Sequence, residues 1–308
     1  MIGFSIVILT YNQRSTLSRL LAGLKEQIKN PKMFEVVITD DGSTDGTSEF
    51  VKGMRFPIFM KYLRAENNVG RSESRNRGFA KSAGKYVLFL DSDMAPAPGL
   101  IETYLRTWEK YPDDVIVGAI KNPPERKIDN LHKYLFSRGG LANKNEALLP
   151  GRYFVSGNFS IRKDIFEKLS GFDTTFQGWG GEDTDFGLRL EQEGIRIRYS
   201  PHAVCYHYHS KTVEETLEEF ERYGRTGYRQ LIEKHPEAVI FPAGWVFGLP
   251  DSRPGMAKKI VAALLSPLKS DIGISLLKFL TAGGAISNSY FDWLFYNRLA
   301  RGFRKGVD

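Results

Sequence analysis

The amino-acid sequence predicts an α/β protein, with a doubly wound, mostly parallel β-sheet and a C-terminal helical extension. Three observations support this fold class. Short apolar runs alternate with amphipathic stretches through the first 98 residues, which is the pattern of strands and helices in such sheets. Polar clusters follow three of the apolar runs, where such sheets bind ligands. Beyond about residue 210, helical spacing replaces the strand pattern.

Four apolar runs have the length and the β-branched and aromatic content of buried strands. They span residues 4–9, 35–40, 58–63 and 85–90. The stretches between them predict the helices of the doubly wound arrangement.

The first helix is predicted to be capped by Ser15 and to run to about Ile28. Its buried face would consist of Leu17, Leu20, Leu21 and Leu24. A short helix should begin at Thr44 or Asp45, and a third should run from Arg71 to Ala83.

Composition narrows the class of protein. The 308 residues are 42% hydrophobic and 26% charged, which is ordinary for a globular protein. The single cysteine, Cys205, excludes an intrachain disulfide and fits a reducing compartment, and we expect it in a strand core. The N-terminus predicts a strand rather than a signal peptide, and no apolar run has the length of a spanning helix. We therefore expect a cytoplasmic location, with attachment to the inner face of the membrane as an alternative.

The formal net charge of +7 suits an anionic partner: a nucleotide, an anionic lipid or a nucleic acid. Basic residues concentrate near the C-terminus beside apolar ones, which fits lipid better than a nucleic-acid groove. We expect no nucleic-acid partner.

The three polar clusters are Thr10–Asn12, Asp40–Asp41 and Asp91–Asp93. All three lie at the carboxyl ends of predicted strands, so they should meet at one edge of the sheet. Asp91 and Asp93 are two positions apart, so on an extended stretch they would point the same way and favour a shared Mg²⁺ or Mn²⁺. The alternative is an exposed turn with solvated acids.

Several segments resemble family 2 glycosyltransferases, which have the GT-A fold. Residues 5–12, 37–45, 68–78 and 90–93 are similar to the nucleotide-binding half of that family. Residues 155–162 and 171–173 resemble its acceptor-side elements, and 178–190 contain the Gly-Gly-Glu-Asp signature of some members. The resemblance covers roughly residues 3–210.

The resemblance implies a catalytic domain over 1–210, with a nucleotide-binding half (1–98) and an acceptor-binding half (99–210). Residues 211–308 would form the helical extension. It further implies a UDP-sugar donor. Asp40 would accept the uracil N3–H, and Thr10 and Tyr11 would line the base pocket, although Tyr11 could equally be a core residue. The remaining expected nucleotide contacts are Asn12, Asp41, Arg75, Asp91 and Ser92.

The same resemblance implies a Mn²⁺ or Mg²⁺ ion bridging the diphosphate. Asp93 would ligate the metal, and Asp91 would contact the ribose or the metal. In metal-dependent members of the fold, a histidine at the end of the strand that corresponds to residues 203–209 completes this site. His207 fits best by position, with His209 as the alternative; imidazole suits Mn²⁺ better than Mg²⁺.

By the resemblance, Asp183 is the general base that takes the proton from the acceptor hydroxyl, and Glu182 bonds the donor sugar or acceptor. Trp179, Gly180, Gly181 and Asn158 would contact the sugars. One base with no opposing nucleophile implies single displacement with inversion. The alternative for these acids is that they simply stabilise a helix N-terminus.

The remaining segments are less patterned. Residues 121–150 predict a mobile acceptor-side loop, 195–199 and 203–209 predict two strands, and 213–235 predict one charged helix. Three apolar helical segments follow at 258–265, 272–280 and 290–296, ending in the basic residues Arg298, Arg301, Arg304 and Lys305. They would pack on the catalytic domain or a second subunit, or form interfacial helices that contact an anionic membrane peripherally.

Together the residues favour a metal-dependent inverting glycosyltransferase that moves a sugar from a UDP-sugar to a glycan, a lipid-linked or another hydroxyl acceptor. A sugar-phosphate nucleotidyltransferase is an alternative, disfavoured because no Gly-rich, Lys-bearing phosphate loop follows the first strand. A non-catalytic nucleotide-sugar-binding protein is a third reading, disfavoured because all the expected carboxylates are present.

Overall fold

A computed structural model describes residues 3–137, 145–208, 211–238, 244–247, 249 and 288–306. The chain forms two compact units. The first comprises 1–127, 136–175 and 182–209, and the second comprises 128–135, 176–181 and 210–308. The second unit therefore takes in two short segments that the sequence had assigned to the catalytic domain.

The first unit is organised around one nine-stranded sheet in the described part of the chain. Its strands are β1 (Phe4–Thr10), β2 (Phe34–Asp40), β3 (Phe59–Arg64), β4 (Tyr86–Asp91), β5 (Met94–Pro96), β6 (Val115–Lys121), β7 (Ala147–Leu149), β8 (Asn158–Arg162) and β9 (Ile197–His207). Their order is β3-β2-β1-β4-β8-β6-β9-β5, with β7 also paired to β9. The four strands predicted from sequence are all present, within one residue at each end.

Strand direction separates the two halves of this sheet. β1 to β4 pair in parallel, as predicted. β8 runs antiparallel to both β4 and β6, whereas β6 and β9 are parallel. The sheet is thus parallel across β1 to β4 and mixed beyond them.

The helices of the first unit cover both faces of the sheet. They are α1 (Arg14–Gln27), α2 (Thr47–Gly53), α3 (Arg71–Ala80), α4 (Leu100–Lys110), α6 (Lys163–Lys168) and α7 (Glu182–Gln192), with single 3₁₀ turns at Pro31–Met33 and Gly151–Tyr153. The strand residues alternate between two cores. Ile6 and Ile8 of β1 join the four predicted leucines of α1 in one core. Val7 and Val37 join a group of phenylalanines around Phe159 in the other.

Three helix ends differ from the prediction. Gln13, not Ser15, is the N-cap of α1, and it caps through its backbone carbonyl, which accepts the Leu17 N–H at 2.9 Å. The second helix begins at Thr47, because the Asp45 carboxylate accepts the Thr47 N–H at 3.1 Å and holds the preceding turn. Helix α3 ends at Ala80 rather than Ala83, whose N–H donates to the Glu35 carboxylate instead of continuing the helix.

The prediction of two strands after α7 was wrong, because β9 is one strand with a bulge. Its pairing with β6 shifts between Gly118 and Ala119, opposite Ser200 and Val204, so Pro201–Ala203 form the bulge. Cys205 is fully buried within β9, as expected, and burial raises the pKa of its thiol.

The second unit is helical in its described part. It contains α5 (Asn130–Leu135), α8 (Val213–Arg225), α9 (Gly227–Lys234), a 3₁₀ turn at Gly244–Phe247 and α10 (Asn288–Lys305). The predicted helix over 213–235 is broken at Thr226 into α8 and α9. The predicted loop over 121–150 contains α5 and β7, and residues 138–144 of it lie outside the described residues.

Helix α10 contains the last of the three predicted apolar segments. It packs along α8 and buries Phe291, Phe295 and Leu299. Three of its basic side chains surround one carboxylate: Arg298, Arg301 and Lys305 lie 3.2, 3.6 and 2.6 Å from oxygens of Glu221. Helix α10 thus packs on α8, inside the second unit. Packing of the extension on the catalytic domain or a second subunit, and its contact with a membrane, stay predictions. Segments 258–265 and 272–280 lie outside the described residues. Among the helices that the structure describes, none is long and apolar enough to cross a membrane.

Candidate active site

The predicted polar clusters do meet at one edge of the sheet. In the parallel registers, Thr10 is paired with Asp40, and Leu9 with Asp91. The ends of β1, β2 and β4 therefore lie side by side. This follows from parallel pairing of three apolar runs, each followed directly by polar residues.

Asp40 and Asp41 are almost fully buried, with 1% and 2% of their surface exposed. Asp40 Oδ1 accepts the Ser43 N–H at 2.8 Å, and Oδ2 accepts a short hydrogen bond from the Tyr62 hydroxyl. Burial and the bond to Asp40 raise the pKa of Tyr62 to about 12. Asp41 accepts the backbone N–H groups of Val69 and Gly70 at 2.7 and 3.2 Å. Both carboxylates thus hold the loops at this edge.

Thr10, Tyr11 and Asn12 differ in exposure. Tyr11 is 45% exposed, so it is not the core residue that was the alternative. Thr10 is buried, and its hydroxyl has no partner among the described residues. Asn12 adopts a left-handed conformation, with φ of 51°, and its side-chain oxygen accepts the Thr44 N–H at 2.7 Å. These three residues lie at the carboxyl end of β1, next to Asp40 and Asp41.

Asp91 and Asp93 do not lie on one extended stretch, because Ser92 and Asp93 form the tight turn between β4 and β5. Their carboxylates consequently have different partners. Arg75 Nη2 donates to Asp91 Oδ1 at 2.9 Å, and the arginine side chain is 3% exposed. Burial alone would lower the pKa of Arg75, but the carboxylates of Asp91, Asp183 and Glu182 raise it. The geometric argument for a cation shared by Asp91 and Asp93 was therefore wrong.

Asp93 instead faces His207. The strand pair β5–β9 places Met94 opposite His207, and His207 Nε2 lies 3.3 Å from Asp93 Oδ2. Among the residues that the structure describes, no three His, Cys, Asp or Glu side chains form a metal-binding group. A carboxylate and an imidazole are nevertheless a suitable pair for Mn²⁺ when phosphate and water complete its coordination. His209, the alternative ligand, lies outside the described residues.

Gln13 also contacts this pair, and sequence reasoning missed it. Its Nε2 donates to Asp93 Oδ2 at 3.3 Å, and its Oε1 accepts a short hydrogen bond from the Ser92 hydroxyl. The only sequence signal was its position directly after the Thr10–Asn12 cluster. Ser92 is fully buried, so its side chain serves this contact within the turn.

Glu182 and Asp183 begin α7, as predicted. The Ser156 N–H donates to Asp183 Oδ2 at 3.0 Å, whereas the buried Asp183 Oδ1 has no hydrogen-bond partner among the described residues. Glu182 is 5% exposed, and burial together with the Asp183 charge raises its pKa to about 7, against the opposing effect of Arg75 and Arg71. The two acids thus differ in environment: one Asp183 oxygen has no donor among the described residues, and the pKa of Glu182 is raised.

The Ser156–Gly157 dipeptide links the Glu182–Asp183 pair to Asp91 at the end of β4. Ser156 holds Asp183, and the next carbonyl, that of Gly157, accepts the Asp91 N–H at 3.1 Å. A side chain at position 157 would lie 3.2 Å from Asp91 Oδ2, so a glycine keeps this approach open. Sequence reasoning had placed both residues only in a family-like segment, without a role.

The predicted contact between Asn158 and a sugar does not fit the structure. It is fully buried, donates to the carbonyls of Ala119 and Ala203 at 3.1 and 2.9 Å, and accepts the Tyr104 hydroxyl at 2.8 Å. Every side-chain oxygen and nitrogen is thus engaged in the core, and no surface remains for a sugar.

Trp179, Gly180 and Gly181 lie in the second unit, where they have packing roles. The Trp179 ring packs edge-on against Tyr223 at 5.9 Å and lies under the Lys211 ammonium at 5.4 Å. A Cβ on Gly180 would lie 2.8 Å from the Tyr223 ring, so the glycine accommodates an aromatic side chain. The direction a Cβ of residue 180 would take is therefore occupied by this chain, and the contact of Trp179, Gly180 and Gly181 with a sugar stays a prediction.

Comparison with known proteins gives a consistent picture. Residues 5–170 match the sequence profile of glycosyl transferase family 2, and residues 141–213 match a profile described as the N-terminal domain of galactosyltransferase. A chondroitin synthase of Escherichia coli is 30% identical over 242 residues, covering 67% of this chain and 34% of the synthase. A hyaluronan synthase of Pasteurella multocida is 29% identical over 238 residues, covering 67% of this chain and 24% of that protein. The chain thus spans only about a quarter to a third of these relatives.

Solved structures agree on the fold. A mannosyltransferase of Pyrobaculum calidifontis, solved with GDP-mannose and Mn²⁺, superposes with a TM-score of 0.66 at 18% identity, covering 98% of this chain and 86% of that one. S. aureus TarS residues 1–349, solved with UDP-GlcNAc, superposes with a TM-score of 0.56 at 18% identity, covering 98% and 90%. The GT-A fold implied by the resemblance is confirmed.

Proposed function

The chain belongs to glycosyl transferase family 2, and on this basis we propose that it transfers a sugar from a UDP-sugar to a hydroxyl acceptor with inversion at the anomeric carbon. The observation that carries the proposal is the state of Asp183. One of its oxygens is fixed by the Ser156 N–H, and the other is buried without a partner among the described residues. A buried carboxylate oxygen without a donor is a ready acceptor for the proton of a bound hydroxyl.

The proposed reaction is a single displacement. The acceptor hydroxyl oxygen attacks the anomeric carbon while the bond from that carbon to the UDP phosphate oxygen breaks. The acceptor proton passes to Asp183, and UDP leaves with the bonding electron pair. We assign no nucleophile of the chain to the opposite face of the sugar, so the configuration inverts. General-base assistance of this kind is worth roughly 10²–10⁴ in rate.

Glu182 and Arg75 prepare the site for this transfer. Because the pKa of Glu182 is about 7, a fraction of the carboxyl groups carries a proton at neutral pH and can donate a hydrogen bond to a sugar hydroxyl. The Arg75 charge offsets those of Asp91 and Asp183, so the anionic diphosphate meets less repulsion.

We assign the nucleotide to the edge formed by Thr10–Asn12, Asp40 and Asp91. Asp93 and His207 would hold Mn²⁺, or less favourably Mg²⁺, and the bound ion would act as a Lewis acid that stabilises charge on the departing diphosphate. The exposed face of Tyr11 suits base stacking. Asp40 retains lone pairs for a base N–H in addition to its two internal bonds, because a carboxylate can accept about four.

UDP is proposed as the nucleotide because of TarS, one of the similar structures, which was solved with UDP-GlcNAc. The acceptor is proposed to be a glycan or a lipid-linked hydroxyl, as the similarity to chondroitin and hyaluronan synthases suggests. We assign peripheral membrane contact to the segments 258–265 and 272–280, because three of the four predicted basic residues of α10 surround Glu221.

The test is UDP release from a panel of UDP-sugars with and without Mn²⁺, together with the thermal unfolding midpoint in the presence of UDP and Mn²⁺. We expect one donor to be hydrolysed slowly and only with metal, and UDP with Mn²⁺ to raise the midpoint, since a ligand that binds the native state stabilises it. If neither UDP nor any other nucleoside diphosphate shifts the midpoint, the proposed function is wrong. GDP shifting it while UDP does not would overturn the nucleotide assignment alone.

A further inference from the structure

We propose that Gln13 is a positioning residue that sets the orientation of Asp93 in the metal site, an inference that rests on the proposed function. The Gln13 amide spans the Asp91–Asp93 turn. Its Nε2 donates to Asp93 Oδ2 at 3.3 Å, and its Oε1 accepts the Ser92 hydroxyl. One side chain thus contacts two consecutive residues of the turn that carries the metal ligand.

The amide has only one orientation that satisfies both contacts. The Asp93 carboxylate can only accept, so the amide NH₂ group faces Asp93 and the amide oxygen is left to accept from the Ser92 hydroxyl. Asp93 Oδ2 is therefore approached by two nitrogens, Gln13 Nε2 and His207 Nε2, each at 3.3 Å. Contacts from two directions on one carboxylate oxygen restrict rotation of the Asp93 side chain.

Gln13 is itself held firmly. It is the N-cap of α1, and its backbone carbonyl accepts the Leu17 N–H at 2.9 Å and the Thr16 hydroxyl at 3.1 Å. Helix α1 is anchored in the core by its four buried leucines. The orientation of Asp93 is therefore coupled to a rigid element rather than to a loop.

Partners that hydrogen-bond a metal ligand from behind typically contribute about 10–100-fold to metal affinity. Removing the Gln13 amide should therefore weaken Mn²⁺ binding even though Gln13 is not assigned as a ligand. A merely structural role would lower stability without this loss of affinity.

Gln27, at the other end of the same helix, supplies a matched control. Its Nε2 donates to the Ala97 carbonyl at 3.0 Å, and its Oε1 accepts the Ile101 N–H at 3.4 Å. It is the same residue type, on the same helix, and makes two side-chain hydrogen bonds to the chain just after β5. It makes no hydrogen bond to the proposed ligands.

The experiment is a titration of the full chain with Mn²⁺ in the presence of UDP, with free Mn²⁺ followed by electron paramagnetic resonance. Wild type, Gln13→Met and Gln27→Met are compared, because methionine keeps the side-chain length and removes both hydrogen bonds. We expect the Mn²⁺ dissociation constant to rise about tenfold or more in Gln13→Met and to stay within about twofold in Gln27→Met. UDP affinity without metal should be the same in all three proteins.

Equal affinities in the two variants, whether both unchanged or both reduced, would overturn the role of Gln13. If Gln13→Met does not fold, Gln13→Asn replaces it, since this shorter amide cannot reach both Ser92 and Asp93, and the same criterion applies. Wild type that binds UDP but no Mn²⁺ would instead refute the metal site of the proposed function, and the inference with it. The two failures are thus distinguished by the wild-type titration.

Discussion

Two pairs of consecutive acids lie in the candidate site, and they differ in hydrogen bonding. Asp40, Asp41 and Glu182 are buried, and Asp183 is half-buried with one buried oxygen. Asp40 and Asp41 follow β2, and Glu182 and Asp183 begin α7. Asp41 and Glu182 are similarly hidden from solvent, with 2% and 5% of their surface exposed. The difference between the pairs is the number of hydrogen-bond donors that meet them.

The β2 pair is fully engaged by the chain. Three backbone N–H groups and the Tyr62 hydroxyl donate to its four oxygens, so each oxygen has a partner. Buried carboxylates with such partners fix the loops around them. This pair shapes a site without reserving an oxygen for a reaction.

The hydrogen bonding of the α7 pair, Glu182 and Asp183, is incomplete. Asp183 receives one backbone N–H, and its other oxygen has no partner in the described part of the chain. Burial and the adjacent charge raise the pKa of Glu182 to about 7. Buried polar groups without partners are costly, and they concentrate at functional sites. The comparison indicates that the number of donors, and not burial alone, separates a structural acid from a reactive one.

The substitution with the largest expected effect removes the proposed general base, Asp183. Asp183→Asn should lower the rate constant of transfer roughly 10²–10⁴-fold, because the amide cannot take the acceptor proton. UDP binding, measured by thermal shift, should be retained. Rates are measured at saturating donor and acceptor.

Asp185→Asn on the same helix is the matched control. Asp185 is 2% exposed, but its Oδ2 accepts the Arg189 Nε at 2.9 Å, so it belongs to the engaged class. The Asp185→Asn variant should be less stable than wild type and keep most of its transfer rate. Equal rates in Asp183→Asn and wild type would refute the base assignment.

The second prediction concerns Glu182 and the dependence of stability on pH. Its pKa of about 7 in the folded protein lies above the ordinary glutamate value of 4.5, so the folded state holds the proton more tightly. Stability from this group is complete below about pH 4.5 and is lost as the pH rises through about 7. The loss approaches about 3 kcal/mol, at 1.36 kcal/mol for each pKa unit.

Glu182→Gln removes this titration, so the variant should gain stability relative to wild type between about pH 5 and pH 8. Chemical denaturation at the two pH values measures the gain. Glu191→Gln on the same helix is the control, and it should change the free energy of unfolding little, because the amide oxygen can still accept the Gly151 N–H. A difference between Glu182→Gln and wild type that does not change with pH would contradict the raised pKa.

The sequence was sufficient to locate the edge of the sheet where the candidate site lies. The strands β1, β2 and β4 are apolar runs that end in polar residues, so parallel pairing alone brings Thr10, Asp40 and Asp91 together. The start of α7 at Glu182 was also predictable, since acids favour the first turn of a helix.

The partners of these residues could not be predicted, because they come from distant parts of the chain. Asn158 is satisfied by Tyr104, Ala119 and Ala203, at separations of 54, 39 and 45 residues. Gly180 faces Tyr223 rather than open space, which no local pattern indicates. The prediction that Asn158 contacts a sugar failed for this reason. A motif identifies residues near a site, but packing decides which of them remain available.

The smallest predicted effect tests the engaged pair. In Asp41→Asn the side-chain oxygen can still accept one of the two N–H groups of Val69 and Gly70, whereas the amide NH₂ faces the other. One donor then loses its partner, and we expect the free energy of unfolding to fall by about 1–3 kcal/mol, measured by chemical denaturation. Glu66→Gln, an exposed acid on the neighbouring loop, should change it by less than about 0.5 kcal/mol.

Because both Asp41 oxygens are engaged within the fold, Asp41→Asn should lower the stability of the protein. It should not reduce the rate of transfer in protein that is still folded. A large loss of rate without a loss of stability would place Asp41 with the reactive acids and remove the distinction between the two pairs.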